Sequence, residues 1–279
     1  MSRERPAGAG APARAVGIAG FGEIGCTVAA ALDQGIEGLE LAGVCGRDRA
    51  RTEARVAGLR RKVPVLSPAG LAAAAEIVVE CAPKAAFLEL VEPAVAAGRT
   101  VVTVSGAGLL AHPEIVDEAA QSGARIVLAS GALLGLDAVR AAAEGTIHDI
   151  TMVTRKPPAS LAGAPHLERN GINVDGLEAP LRVFAGSARE GAAGFPANVN
   201  VAAALGLAGI GADRTRLEIW ADPGVARNTH TVRVESAEAR FEMKIENVPS
   251  EGNPATGKLT ALSVVACLRG LVAPLRVGS

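Results

Sequence analysis

The sequence predicts an α/β protein in two parts, a doubly wound parallel sheet followed by an α+β region. Three observations carry this. Through the first half, short apolar runs alternate with helical stretches, the pattern of repeated βαβ units. Near Ile147 the grammar changes to strands that alternate apolar and polar residues with period two and follow one another closely. The composition suits a packed core: 49% of the 279 residues are hydrophobic and 20% charged, too apolar for a disordered chain.

In order, residues 15–19 (AVGIA) read as a buried strand, and a glycine-rich turn then opens an Ala-rich helix to Leu32. Residues 39–45 (LELAGVC) form a second strand. A polar helix over 49–59 and a shorter apolar stretch over 69–75 follow. Residues 77–81 (IVVEC), 100–105 (TVVTVS) and 125–128 (RIVL) read as further buried strands, separated by helices over 85–97 and 113–122. In all, six apolar runs alternate with helical segments, and RIVL is counted as the sixth strand. Beyond Ile147, residues 149–155 (DITMVTR) alternate as a half-exposed strand does, and a Pro/Gly-rich loop spans 156–176. Residues 189–207 read as helix interrupted at Phe195-Pro196. Strands at 215–221, 229–236 and 240–247 predict an antiparallel sheet, with Asp222-Pro223-Gly224 turning between the first two. Residues 256–271 form a last apolar helix. The boundaries expected are an arm over 1–14, a first domain over 15–140, a second over 141–255, and a C-terminal helix over 256–279 that can return to the first domain.

Several classes of function are disfavoured. Lys+Arg number 28 against 29 Asp+Glu, a net charge of -1, without the basic excess of a nucleic-acid binder. Aromatics are 2% with no Tyr, which leaves little for base stacking. No apolar run reaches the about 20 residues that span a bilayer. Residues 1–15 lack the apolar centre of a secretory signal, so a cytoplasmic protein is expected. Cys26, Cys45, Cys81 and Cys267 are widely spaced and form no CxxC pair; they read as small buried hydrophobes. No His, Cys and acid cluster has metal-ligand spacing, so no metal is expected.

The strongest motif is Gly20-Phe21-Gly22-Glu23-Ile24-Gly25, placed between a strand and a helix. Gly20 permits the tight turn, Gly22 lets backbone approach a pyrophosphate, and Gly25 lets helix pack on strand. The helix N-terminus, with Glu23 and Ile24 in its first turn, offers free N–H groups to phosphate. This reads as a Rossmann domain for a dinucleotide; the turn by itself does not separate NAD from FAD, and a tight strand-to-helix turn without a ligand is the alternative. An acid ending the second strand would favour NAD. That stretch reads Val44-Cys45-Gly46-Arg47-Asp48 instead. Arg47 suits a 2′-phosphate and Asp48 a ribose hydroxyl, although Arg47 is equally a solvated loop charge.

His230, at the start of a strand with Val232 and Val234 on its face, is the candidate for proton transfer; a structural histidine bonded to backbone is the alternative. Ser130-Gly131-Ala132 follows the RIVL strand, where small residues leave room for a nicotinamide ring. Asn198 and Asn200 are amides in an Ala-rich helical region, so they either bind cofactor or substrate or serve as caps and satisfied buried groups. Thr154-Arg155-Lys156 ends a strand with two cations, suited to carboxylates or to solvent.

Taken together, GFGEIG at 20–25, SGA at 130–132, TRKPP at 154–158, FPANVNVAAALGLAGIG at 195–211, ADPGVARNTH at 221–230 and NVPSEGNPATGKLTALS at 247–263 resemble the L-aspartate dehydrogenases, over about residues 15–272. The resemblance implies NAD(P)-dependent oxidation of L-aspartate to iminoaspartate, which feeds NAD biosynthesis or hydrolyses to oxaloacetate and ammonia. It implies that His230 is catalytic, that Ala132 and Asn200 contact the cofactor, and that the second domain resembles that of dihydrodipicolinate reductases in a homodimer. Lys156, Thr229 and Lys258 are candidates for the substrate carboxylates. Family members often carry a basic residue where this chain has Ala197. The alternatives are a reductase of another small dicarboxylate or cyclic imine, and a dinucleotide-binding regulator without activity.

Overall fold

The computed structural model describes residues 12–195, 200–250 and 257–278, so most of the arm, Ala197 and Asn198 lie outside the described residues. The first half runs β1 (Arg14–Ala19), α1 (Glu23–Gln34), β2 (Leu39–Cys45), α2 (Arg49–Val56), α3 (Pro68–Ala74), β3 (Ile77–Glu80), α4 (Phe87–Ala96), β4 (Thr100–Thr103), α5 (Gly106–Ala111), α6 (Glu114–Ser122), β5 (Arg125–Leu128) and α7 (Leu136–Ala143). The five strands pair in parallel in the order β2-β1-β3-β4-β5.

The sheet has five regular strands, not six, and RIVL is its fifth. A sixth position is reduced to one bridge: Val44 N–H donates to Pro64 O and Leu66 N–H to Val44 O on the outer edge of β2. Pro64 lacks an N–H and Ser67-Pro68 already caps and opens α3, which leaves no length for a strand there. With that edge segment counted, the order is that of a dinucleotide-binding sheet, and the order of strand addition reverses between β1 and β3.

Both faces of the sheet are covered, which is why its strands read as unbroken apolar runs. Ile77 and Val79 of β3 pack into one cluster with Val28 and Leu32 of α1, while Val78 packs into another with Phe87 and Val91 of α4.

The second half runs β6 (Ile147–Lys156), α8 (Pro165–Asn170), β7 (Leu181–Ser187), α9 (Ala188–Gly194), α10 (Asn200–Ala208), β8 (Arg216–Ala221), β9 (Asn228–Ser236), β10 (Arg240–Asn247) and α11 (Lys258–Gly270). Its sheet, ordered β10-β9-β6-β8-β7, is mixed rather than antiparallel, because β6 and β8 run parallel. The helices between them let the chain return in the same direction. Asp222-Pro223-Gly224 does turn, with Gly224 N–H donating to Asp222 Oδ1 at 2.9 Å, but it makes no hairpin since β6 lies between β8 and β9. β7 and α8 fall in stretches the sequence did not resolve into elements. α9 opens with a capping box, Ser187 and Glu190 satisfying each other's backbone N–H groups.

α11 follows the second sheet in sequence but lies against α1, with Val264 and Leu268 fully buried in the cluster of Val28 and Leu32. Each such side chain contributes about 1.5–3 kcal/mol of burial. No helix among the described residues is long and apolar enough to cross a membrane, and none of their His, Cys, Asp and Glu side chains groups into a metal site.

Candidate active site

The glycine turn has the geometry its sequence requires. Gly20 has φ +99, and a Cβ there would meet backbone of Cys81 and Ala82 at 2.8 Å. At Gly25 a Cβ would lie 2.1 Å from Gly20 O, so α1 can sit on the turn only with glycine. At Gly22 a Cβ would meet nothing within 4 Å. The close approach that glycine permits at Gly22 is therefore directed outward, into open space. Gly22 is also the N-cap of α1 and supplies no side-chain cap, so the helix begins at the turn with its first-turn backbone at the edge of that space. This cradle fits a dinucleotide pyrophosphate. At the end of β2, Arg47 and Asp48 are exposed, and Asp48 Oδ1 accepts from Arg51 N–H at 3.0 Å as the N-cap of α2.

Strand alternation builds the other side of the site. Ile150, Met152, Thr154 and Lys156 of β6 point inward, and β9 pairs Val234 with Ile150, Val232 with Met152 and His230 with Thr154. The apolar pairs form core; the same face then ends in Thr154, His230 and Lys156, all buried. His230 Nδ1 lies 3.1 Å from Thr154 Oγ1, which leaves Nε2 as the ring nitrogen for other partners. Alternation also separates the two cations. Arg155 turns outward, pairs with Asp222 at 2.9 Å and lies over the Trp220 ring, while Lys156 turns in.

A cavity of about 130 Å³ joins the two halves. His230 and Lys156 line it from the second sheet, Ile24 from α1, Ala132 from the loop after β5, and Asn200 from α10. Ala132 lies just past the carboxyl end of β5, where ligands bind in such sheets. Its loop is tied down from both sides: Asn247 Nδ2 donates to Ala132 O at 3.1 Å, and Gly131 N–H donates to Ser263 Oγ at 3.0 Å. Asn200 Oδ1 accepts from Ala107 N–H at 3.1 Å, so its NH2 is the end still able to donate.

Electrostatics follow from burial. Desolvation, and behind it the Lys156 cation, push His230 from 6.5 down to about 3, rather than leaving it near neutrality as the sequence alone suggests. Burial pushes Lys156 from 10.5 down to about 8. At pH 7 the cavity therefore holds a neutral imidazole beside an ammonium, a proton acceptor next to an anion-binding group.

Not every candidate converges. Thr229 is buried, but its hydroxyl donates to Arg227 O at 3.3 Å, and Lys258 is exposed at the start of α11; neither lines the cavity. Asn198 lies outside the described residues. Five polar residues that the sequence did not single out do belong here: Thr154 behind His230, Asn247 and Ser263 behind Ala132, and Asn228 and Thr260 in the lining. Thr154 was readable, two positions before Lys156 on the same strand face. Ser263 and Thr260 depend on where α11 returns, and Asn228 and Asn247 on how the ends of β9 and β10 meet the first half.

Comparison with known proteins agrees with this two-part reading. Residues 20–129 match the model of the homoserine dehydrogenase NAD-binding domain, and residues 137–271 that of the aspartate dehydrogenase C-terminal domain. The chain is 56% identical to an L-aspartate dehydrogenase of Bradyrhizobium diazoefficiens over 95% of its length and 94% of that protein's. It is 51% identical to L-aspartate dehydrogenase 3 of Bordetella bronchiseptica, over 95% and 97%. The crystal structure of aspartate dehydrogenase from Thermotoga maritima superposes with a TM-score of 0.74 at 27% identity, covering 95% of this chain and 99% of that one.

Proposed function

The chain belongs to the L-aspartate dehydrogenase family, and from that premise we propose that it oxidises L-aspartate to iminoaspartate with NAD or NADP. The observation that carries this is the shared cavity: an uncharged imidazole from the second sheet and the Ala132 loop from the first meet across it. The bound dinucleotide supplies the hydride acceptor. Gly20, Gly22 and Gly25, with the backbone of Glu23 and Ile24, receive its pyrophosphate; the Ala132 loop and the Asn200 amide receive the nicotinamide end.

His230 accepts a proton from the substrate ammonium. The nitrogen lone pair so released forms the C=N bond as hydride leaves Cα. Thr154 fixes the ring from behind, so Nε2 is the nitrogen that takes the proton. Lys156 holds a substrate carboxylate. Two carboxylates beside the imidazole favour its charged form, which raises its basicity when substrate is present. In reverse, His230 returns the proton to the forming amine. The neighbouring halves exclude water from this exchange, as the burial of Thr154, His230 and Lys156 requires.

Two finer points belong to the same reading. All four cysteines are free thiols, which suits a cytoplasmic enzyme. The outer face of the second sheet, where Arg155 and Arg182 flank Trp220, is the surface we assign to a homodimer. The test of function is reduction of NAD or NADP by purified enzyme against a panel of amino acids and 2-hydroxy dicarboxylates. Turnover with aspartate above all others is expected; preference for another substrate overturns the proposal.

A further inference from the structure

The adenosine end of the cofactor site is shaped by a contact at the end of β2. An acid at this point would accept the ribose 2′-hydroxyl of NAD and repel the 2′-phosphate of NADP. The chain has Gly46 there, and the reason lies beneath it. A Cβ at Gly46 would lie 2.2 Å from Thr52 Oγ1, and that hydroxyl is fixed by donating to Asp48 O at 2.6 Å. Thr52 is itself buried. A side chain at position 46, an acid included, would have to displace the Thr52 hydroxyl from its bond to Asp48 O.

The acids nearby are engaged elsewhere. Asp48 Oδ1 caps α2 through Arg51 N–H, and Glu53 Oε1 accepts from Arg49 Nε at 2.8 Å. Arg55 reaches back to accept none of these roles: its Nη1 donates to Phe21 O, tying α2 to the glycine turn. Arg47, by contrast, is exposed and makes no ion pair or hydrogen bond with any described residue. The loop thus presents one guanidinium without a partner among the described residues, while its acid, Asp48, is held through Oδ1 at the start of α2.

We infer that Thr52, by excluding an acid at Gly46, selects NADP(H) over NAD(H), and that Arg47 is the residue that reads the 2′-phosphate. This rests on the dinucleotide reading of the glycine turn and goes beyond it in assigning the preference. A guanidinium bonds a phosphate more strongly than a neutral donor does, and a ribose hydroxyl gains little from it.

The test is equilibrium titration of the whole enzyme with NADPH and with NADH, followed by nicotinamide fluorescence and needing no turnover. Wild type is expected to bind NADPH more tightly. Arg47→Ala should lower the NADPH-over-NADH preference about tenfold, the scale of one lost charge-assisted bond. Gly46→Asp combined with Thr52→Ala, which clears the space, should invert the preference. Tighter NADH binding by wild type, or a preference that Arg47→Ala leaves unmoved, overturns the inference alone. Failure of both dinucleotides to bind overturns the reading of the turn with it. If the double variant does not fold, the Arg47→Ala ratio still decides.

Discussion

His230 and Lys156 hold protons that ordinary imidazole and ammonium groups would hold differently, and burial is the cause in both. For His230, the folded pKa of about 3 lies below the ordinary 6.5. As pH falls from 6.5 toward 3, the unfolded chain binds a proton that the folded chain refuses, so stability falls across that window. His230→Gln should flatten this acid slope in denaturant titrations. His230→Ala should lower kcat about 10²–10⁴-fold while dinucleotide affinity persists, the range for loss of a general acid–base; full turnover would remove His230 from the mechanism. Lys156, at about 8 against 10.5, loses its charge in a range where most lysines keep it. The kcat/KM for aspartate should therefore decline above pH 8, because that ratio reports the free enzyme. Lys156→Met should lower kcat/KM about 10–100-fold at neutral pH, from 1.5–3 kcal/mol of lost charge-assisted bonding, and abolish the decline. A decline that survives in Lys156→Met would assign it to another group. The sequence identified both residues, but not their protonation: that depends on how closely β6 and β9 shield them.

The glycine turn shows how one motif divides between folding and binding at the scale of an element. Gly25 is needed by the chain itself, since a Cβ would strike Gly20 O at 2.1 Å; Gly22 meets nothing. Gly25→Ala should accordingly lower both Tm and dinucleotide affinity. Gly22→Ala should leave Tm within a couple of degrees of wild type, since an ordinary exposed substitution changes stability by at most about 0.5 kcal/mol, while binding of NADPH weakens at least tenfold. Equal loss of Tm in both variants would mean that Gly22 serves the fold rather than a ligand. This turn was legible because a strand, three glycines and a helix follow in order, each constrained locally. β6 and β9 were legible for the same reason, through two-residue alternation. β7 was not: Leu181–Ser187 has its first two residues exposed and a register shift between Arg182 and Phe184, so no clean alternation marks it. Nor was the mixed order of the second sheet, because pairing between β6 and β8 is a choice between distant segments that no local pattern records. The sequence leaves the acid position within residues 44–48 unfilled; the contact between Gly46 and Thr52 is a cause that only the structure shows.

At the scale of the whole molecule, the two halves are joined at the Ala132 loop beside the cavity, and α11 makes one of the joints. It follows the second sheet, yet Val264 and Leu268 complete the core on the α1 face of the first, and Ser263 receives the N–H of Gly131 beside Ala132. Asn247 makes the matching tie from β10 to Ala132 O. The position of the cofactor loop thus depends on the second half being folded, a dependence between remote segments that the sequence could suggest only as a helix free to return. Folding should then be cooperative across the whole chain rather than half by half. Leu268→Ala tests this, because Leu268 is fully buried in a cluster with Val28 and Leu32 of the distant α1. The substitution should destabilise by about 2–5 kcal/mol, the range for large-to-small changes in a core, and lower Tm by roughly 2–4 °C for each of those kcal/mol in a chain of about this size. A single calorimetric transition should persist, shifted as a whole, with dinucleotide affinity reduced because Ser263 moves with its helix. Two separated transitions would show that the halves fold independently, and an unchanged affinity at reduced stability would show that α11 supports the sheet without positioning the Ala132 loop.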